Sequence, residues 1–294
     1  MAPEEKERKS FFERIRGKRN EKAEMSFIDH LEALRWHIIR AAIAVLIGAI
    51  ACFVYIDWLF DHVITAPLNN DFVTYRWLCS LSHSLNMGDA MCLPQMKIEL
   101  QNTTFGGSFY GSINLAITLG FIVAFPYVLY QLWKFIRPAL KSNELKYTRG
   151  IVFWITVFFL LGGAFGFYVL APYTFNFLAN YHIGTKGILI NRPSLSDYIE
   201  NLTDVVLGCG IAFQMPMVSY FLTKIGLITP GFLKSSYRYA IVIIIIIAAV
   251  ITPSGDVVTL SIVATPLLLL YWLGIVISSR VNKNLKKKEA DEWS

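Results

Sequence analysis

"FIDHLEALRWHIIRAAIAVLIGAI", residues 27–50, passes from charged to apolar with no Pro or Gly before Gly48. His30, Glu32, Arg35, His37 and Arg40 sit directly on a run apolar enough to enter a bilayer. Phe27, Ile28, Leu31, Leu34 and Ile38 recur at helical spacing and form one apolar face, with Asp29, Glu32, Arg35 and Trp36 opposite. The stretch predicts an amphipathic helix that lies at a membrane interface and turns into a first span. Glu32 and Arg35 are three residues apart and can pair on one helix. On charge pattern alone, an ion pair with interfacial anchors is the plainer reading.

The rest of the chain supports a membrane reading. It is 55% hydrophobic and 16% charged, with mean hydropathy +0.49. Soluble domains average about 45–50% apolar and about 25% charged. A span needs about 20 mostly apolar residues, and six segments qualify: 36–56, 109–130, 150–171, 203–224, 238–252 and 257–277. The fifth is short, "YAIVIIIIIAAVI" closed by "TPSGD", so the fifth and sixth should form a tight hairpin of less than full bilayer depth. Pro126, Pro216 and Pro266 fall within spans, and Gly162, Gly163 and Gly166 crowd the third. Prolines kink helices and small residues let helices approach closely. The expected fold is all-α: a polytopic membrane protein of six transmembrane helices, kinked and forming a concave bundle. No internal repeat is present to support an inverted-repeat transporter.

Charge gives the orientation. Twenty-two of the 27 Lys and Arg residues fall on one side of these spans and four on the other, with Arg40 at the start of the first span. By the positive-inside rule both termini are cytoplasmic. The net charge of +6 is then an orientation signal and not a nucleic-acid footprint. Lys286, Lys287 and Lys288 are expected to touch membrane lipids through anionic headgroups. Residues 1–24 read as a mobile charged cytoplasmic tail, 25–277 as the membrane domain with its amphipathic entry helix, and 278–294 as a basic cytoplasmic tail. The first apolar run starts late and lacks a small-residue cleavage site, so it reads as an anchor that stays.

Loops 57–108 and 172–202 fall outside and are expected to form a lid, with Ser196 and Asp197 capping a short amphipathic helix. Cys79 and Cys92 share the first of these loops, with twelve residues between them. They could close a disulfide in an oxidising compartment, or remain two free thiols. Cys52 and Cys209 lie in spans and read as packing residues.

Two stretches could carry function. In "YQLWKFIRPALKSNELKY", residues 130–147, Glu144 is the one acid in a loop of five basic residues. It is either a solvated counter-charge or a carboxylate able to receive a cationic ligand. In "GIAFQMPM", residues 210–217, Gln214 stands beside Pro216. A buried amide seeks partners and can bond backbone freed by a proline. Interhelical polar bonds are worth roughly 0.6–2 kcal/mol, enough for packing or for docking a partner helix. No HExxH, GxSxG or Walker motif occurs, and the five His residues lack ligand spacing. Neither an intramembrane Asp pair nor a ladder of buried acids is present. No catalytic residue, metal or cofactor is expected. A small-solute transporter or channel is the alternative.

Further stretches add a resemblance: "HLEALR" (30–35), "APL" (66–68), "FPYVLYQLWKFIRPALKSNE" (125–144), "FGFYVLAPYTFNFL" (165–178), "FQMPM" (213–217), "YRYAIV" (237–242) and "TPSGD" (252–256). Together they resemble the TatC family, the multi-spanning signal-receptor subunit of the twin-arginine protein translocase, over nearly the whole of residues 26–277. The resemblance implies a non-enzymatic receptor in the bacterial cytoplasmic (inner) membrane. It would bind signal peptides with two consecutive arginines and pass folded cargo outward, driven by the proton-motive force. Its implied partners are small single-span subunits of the TatA/TatB type and further copies of itself. By position Glu144 and Phe135 match the family's signal-recognition residues, and His30, Glu32 and Arg35 carry its entry motif. Pro67 and Asp256 match outer-loop positions, and Gln214 falls where many members carry Glu. The family's usual entry is His-Leu-x-Glu-Leu-Arg, whereas Ala33 holds the acidic place here and Glu32 precedes it. That shift turns the carboxylate by roughly 100° around the helix. The "TPSGD" turn is one residue longer than the common Thr-Pro-Pro-Asp form.

Overall fold

A computed structural model describes residues 27–69, 71–84, 92, 99–137, 150–181, 192–252 and 257–292. The charged N-terminal tail, Glu144 and Asp256 lie outside the described residues, and of His30 only the backbone path is described. Regular structure is helical throughout the described residues, apart from one isolated bridge between Gln101 and Ser194. In chain order the helices are α1 (Phe27–Val54), α2 (Ile56–Leu59), α3 (Val73–Ser84), α4 (Gly107–Ile136), α5 (Ile151–Phe165) and α6 (Ala171–Asn180). They continue with α7 (Leu195–Ala212), α8 (Met215–Lys224), α9 (Pro230–Ser235), α10 (Tyr237–Ile251) and α11 (Val257–Glu292).

Five stretches are long and apolar enough to cross a membrane: Leu31–Val54, Gly107–Ile136, Ile151–Asn180, Leu195–Lys224 and Thr259–Leu285. α10 is the shorter sixth, as its composition predicts. At 15 residues it rises only about 22 Å, short of a hydrocarbon core of about 30 Å. The helices outrun their apolar runs. α4 continues to Ile136, and α11 runs unbroken to Glu292 through the segment read as a separate tail. Intrahelical hydrogen bonding does not stop where lipid does.

The prolines divide into two kinds. α4 and α11 pass through Pro126 and Pro266. At Pro216 the fourth span breaks into α7 and α8 across Phe213–Gln214, and Pro172 opens α6 after a π-helical turn at Gly166–Leu170. The cap of the fourth span also differs from the sequence reading. Ser194 is the capping residue, its Oγ accepting from Asp197 N–H at 3.1 Å. The helix it opens is the outer end of the span itself, not a separate short helix.

Small residues set the helix contacts. A Cβ on Gly162 would meet the Cys209 carbonyl at 2.5 Å, and one on Gly166 the Val205 carbonyl at 2.8 Å, so α5 and α7 touch backbone to backbone. The main core gathers Leu170, Phe175, Val205, Cys209, Ile244, Ala248, Val263 and Leu267 from the last four spans. α1 stands apart from it and packs chiefly on α4.

At one end of the core, described residues of the loops 57–108 and 172–202 form a cap. Pro172 has no N–H to give the Tyr168 carbonyl, and Thr74 Oγ donates to that carbonyl instead. The Tyr75 hydroxyl donates to the carbonyls of Pro67 at 2.9 Å and Pro172 at 3.3 Å. Tyr198 donates to the Ile64 carbonyl beside the π-helical turn Phe60–Ile64. The two loops also pair directly, Gln101 N–H to Pro193 C=O at 3.1 Å and Leu195 N–H to Gln101 C=O at 2.8 Å. Irregular backbone is thus satisfied by side chains and by the opposite loop, as backbone at a membrane boundary must be.

Candidate functional site

The feature best placed to take a ligand is the cleft between α1 and α4. The two helices pack along each other and approach most closely at one crossing. At the crossing a Cβ on Gly120 would lie 2.3 Å from Ala49 N, so the contact is backbone against backbone. Toward the start of α1 and the end of α4, larger side chains hold the helices apart. They leave a cleft of about 330 Å³, walled by Leu34, Ala41 and Val45 on one side and Val128, Leu132 and Phe135 on the other.

A polar chain closes this apolar cleft. His37 Nδ1 lies 2.7 Å from Gln131 Oε1, and Gln131 Nε2 donates to the Tyr127 hydroxyl at 2.6 Å. Since Oε1 can only accept, Nδ1 carries the proton of this bond. Gln131 is only 4% exposed, so an unpaired amide there would cost roughly 1–3 kcal/mol. Using both ends of the amide fixes the cleft wall. Phe135 follows one turn later with its ring edge-on to His37, centroids 6.3 Å apart.

The site residues read from the sequence fall into three places. Phe135 lines the cleft. Glu32 and Arg35 are exposed on α1 before His37, and no ion pair joins them among the described residues. α4 gives way at Arg137 to the segment that carries Glu144. The described stretch thus ends two residues after Phe135, and Glu144 lies outside the described residues.

Gln214 lies elsewhere, in the break of the fourth span. Gln214 N–H turns to the Ile211 carbonyl, while its side-chain Nε2 donates to Ile155 C=O at 3.1 Å and Gly210 C=O at 3.4 Å. The amide so takes up a carbonyl at the break and ties the kink to α5. Its Oε1 is buried without a hydrogen-bond partner among the described residues. Pro67 is buried in the cap, and Cys79 and Cys92 are joined with Cα atoms 4.5 Å apart.

The side of α1 that faces α4 only partly overlaps the apolar stripe of its sequence. Leu31 is 48% exposed, while Leu34, His37, Ile38, Ala41 and Val45 line the cleft with α4, and Ala49 meets Gly120. In lipid an apolar side chain has nothing to gain by leaving its surroundings, so small and polar residues mark the seam. His37 and Gln131 were readable by the rule that picked Gln214, since each places a polar side chain within an apolar helix. Tyr75 and Tyr198 had no such signal, because their partners are backbone carbonyls, which no side chain marks.

The long helices, broken spans, bonded cap and cleft with a single polar wall define a polytopic helical membrane protein with an apolar cleft at one edge. The chain belongs to the TatC family: the family model described as Sec-independent protein translocase protein (TatC) matches residues 29–266. The Sec-independent protein translocase protein TatC of Blattabacterium sp. subsp. Periplaneta americana is 38% identical over 266 residues, covering 90% of this chain and 99% of the relative. The TatC protein of Koribacter versatilis is 33% identical over 270 residues, 91% of each chain. Among solved structures, a crystal structure of the twin-arginine translocase receptor TatC in DDM matches with a TM-score of 0.66 at 32% identity, over 85% of this chain and 99% of that one. These likenesses do not favour a solute transporter or channel.

Proposed function

We propose that this chain is the signal-peptide receptor and core subunit of a twin-arginine translocase. It sits in the bacterial cytoplasmic membrane with both termini cytoplasmic, and works with single-span partner subunits and further copies of itself, without catalysis. The observation that carries the reading is the α1–α4 cleft: an apolar trough with Phe135 at its mouth, next to the segment that bears Glu144. A twin-arginine signal has two guanidinium groups followed by an apolar run. The guanidinium groups pair with Glu144, helped by Glu32 from the exposed face of α1, since carboxylates accept guanidinium in a two-bond fork. The apolar run lies along Leu34, Ala41, Val45, Val128 and Leu132. His30 and Arg35 shape the entrance, and Pro67 and Asp256 hold the outer loops. Gln214, at the break of the fourth span, marks the place where a partner's transmembrane helix docks. The test is capture from solubilised membranes with an immobilised twin-arginine signal peptide and a twin-lysine control. Retention on the first and not on the second supports the reading, and equal retention on both contradicts it.

A further inference from the structure

The outer cap holds a group that the receptor role does not use. Cys79 and His83 lie one turn apart on α3, with Cys79 Sγ 4.0 Å from His83 Nδ1. Cys79 is bonded to Cys92. The three side chains bring two sulfurs and an imidazole nitrogen within 4.8 Å of one another. His83 is exposed, and both cysteines are partly exposed. A reagent in solution can therefore reach them.

The bridge sits where it can hold the cap closed. α3 supplies Thr74 and Tyr75, which bond the Tyr168, Pro67 and Pro172 carbonyls. The chain beyond Cys92 supplies Gln101, which pairs with the opposite loop. Closing the bridge fastens these two parts of the first outer loop to each other.

We propose that Cys79, His83 and Cys92 form a thiol–disulfide exchange site, in which His83 makes Cys79 the attacking sulfur when the exported loop is oxidised. In the reduced loop the imidazole takes the Cys79 thiol proton, giving a thiolate beside an imidazolium. The thiolate attacks a disulfide oxidant, either a small disulfide or an oxidoreductase of the disulfide-bonded class. A Cys79 mixed disulfide forms and one oxidant sulfur leaves as thiolate, taking its proton from imidazolium or solvent. Cys92, as thiolate, then attacks Cys79 Sγ and releases the second oxidant sulfur. Two protein thiols are oxidised to one disulfide, and one oxidant disulfide is reduced to two thiols.

The experiment uses the full chain in detergent, reduced with dithiothreitol, freed of reductant and reoxidised with glutathione disulfide. Alkylation quenches samples between pH 6 and pH 9, and mass spectrometry counts free thiols. The wild-type protein should close the bridge at least about threefold faster than His83→Gln near pH 7, with the gap narrowing toward pH 9 as thiols ionise unaided. With Cys92→Ser, glutathione should accumulate on Cys79. With Cys79→Ser, it should accumulate on Cys92 more slowly. Because His83 is exposed, His83→Gln leaves the packed cap intact. Equal closure rates for wild type and His83→Gln at every pH overturn the proposal, as does equal glutathionylation of the two single-cysteine variants.

Discussion

Replacing Gly120 with Ala tests whether the cleft depends on the backbone contact between α1 and α4. The added Cβ would lie 2.3 Å from Ala49 N, 2.6 Å from Ala49 Cα and 2.8 Å from Gly48 C. All three are backbone atoms, so no rotamer change relieves the overlap. Moving the nearest pair from 2.3 Å to ordinary contact at 3.4 Å requires the helices to part by about 1 Å. Such a gap forfeits a quarter to a half of each contact's attraction. α1 has α4 as its chief neighbour, so little else holds it in place. Overpacking of this kind costs roughly 1–3 kcal/mol, about 5- to 140-fold in the α1 docking equilibrium. Gly163→Ala is the control, since its Cβ would meet only Val206 at ordinary distances, 3.6 Å and beyond. Thermal unfolding in detergent and binding of a labelled twin-arginine peptide read both variants. Gly120→Ala should lose stability and bind peptide at least about fivefold more weakly, while Gly163→Ala should match wild type. Wild-type stability and affinity in Gly120→Ala would refute the reasoning.

Three further outcomes are expected. Gln131→Leu removes both hydrogen bonds of the amide and leaves His37 without that partner, so it should destabilise the protein by roughly 1–2 kcal/mol and weaken peptide binding; unchanged melting and binding would make the polar chain incidental. Tyr75→Phe strips a donor from the Pro67 and Pro172 carbonyls and should cost roughly 1–2 kcal/mol. Burial pushes the Tyr75 phenol above its ordinary value, so its contribution is whole below pH about 10 and fades as pH rises, because the unfolded chain ionises first. Melting curves in alkali should therefore converge for wild type and Tyr75→Phe; a constant gap to high pH would count against the bond. Gln214→Leu removes the tie from the kink to the Ile155 carbonyl and the unpaired acceptor, and should weaken crosslinks to single-span partners while the protein still inserts; unchanged crosslinks would leave Gln214 with packing alone.

Much of the architecture was legible because lipid imposes it. A span must be apolar and about 20 residues long, so all six were visible, including the short α10. Their ends were not, because α4 and α11 continue as helices beyond residues 130 and 277, where the apolar segments close. The side of α1 that meets α4 was not legible for a related reason. Leu34 and Ile38 of the apolar stripe reach the cleft while Leu31 stays exposed, and small residues, Gly48 and Ala49, mark the closest seam with α4. The crowding of Gly162 and Gly166 was readable, whereas the carbonyls they approach were not. Of the cleft, Phe135 was picked out by resemblance. His37 and Gln131 sit 94 residues apart, and only the fold brings them together. Thr74, Tyr75 and Tyr198 answer to backbone carbonyls, which carry no residue identity to read.

The central proposal is that Glu144, on the segment that follows α4, receives paired arginines. Affinity for a twin-arginine signal peptide, measured on wild type and on Glu144→Arg, tests it most directly. Glu144 stands among Lys134, Arg137, Lys141, Lys146 and Arg149, which without it would repel such a ligand. A hydrogen bond to a charged group contributes roughly 1.5–3 kcal/mol, and a partly wet site falls at the lower end. The account predicts a loss of about tenfold or more for Glu144→Arg, and a smaller loss for a twin-lysine peptide, whose ammonium groups cannot form the fork. Unchanged twin-arginine affinity in Glu144→Arg would contradict it.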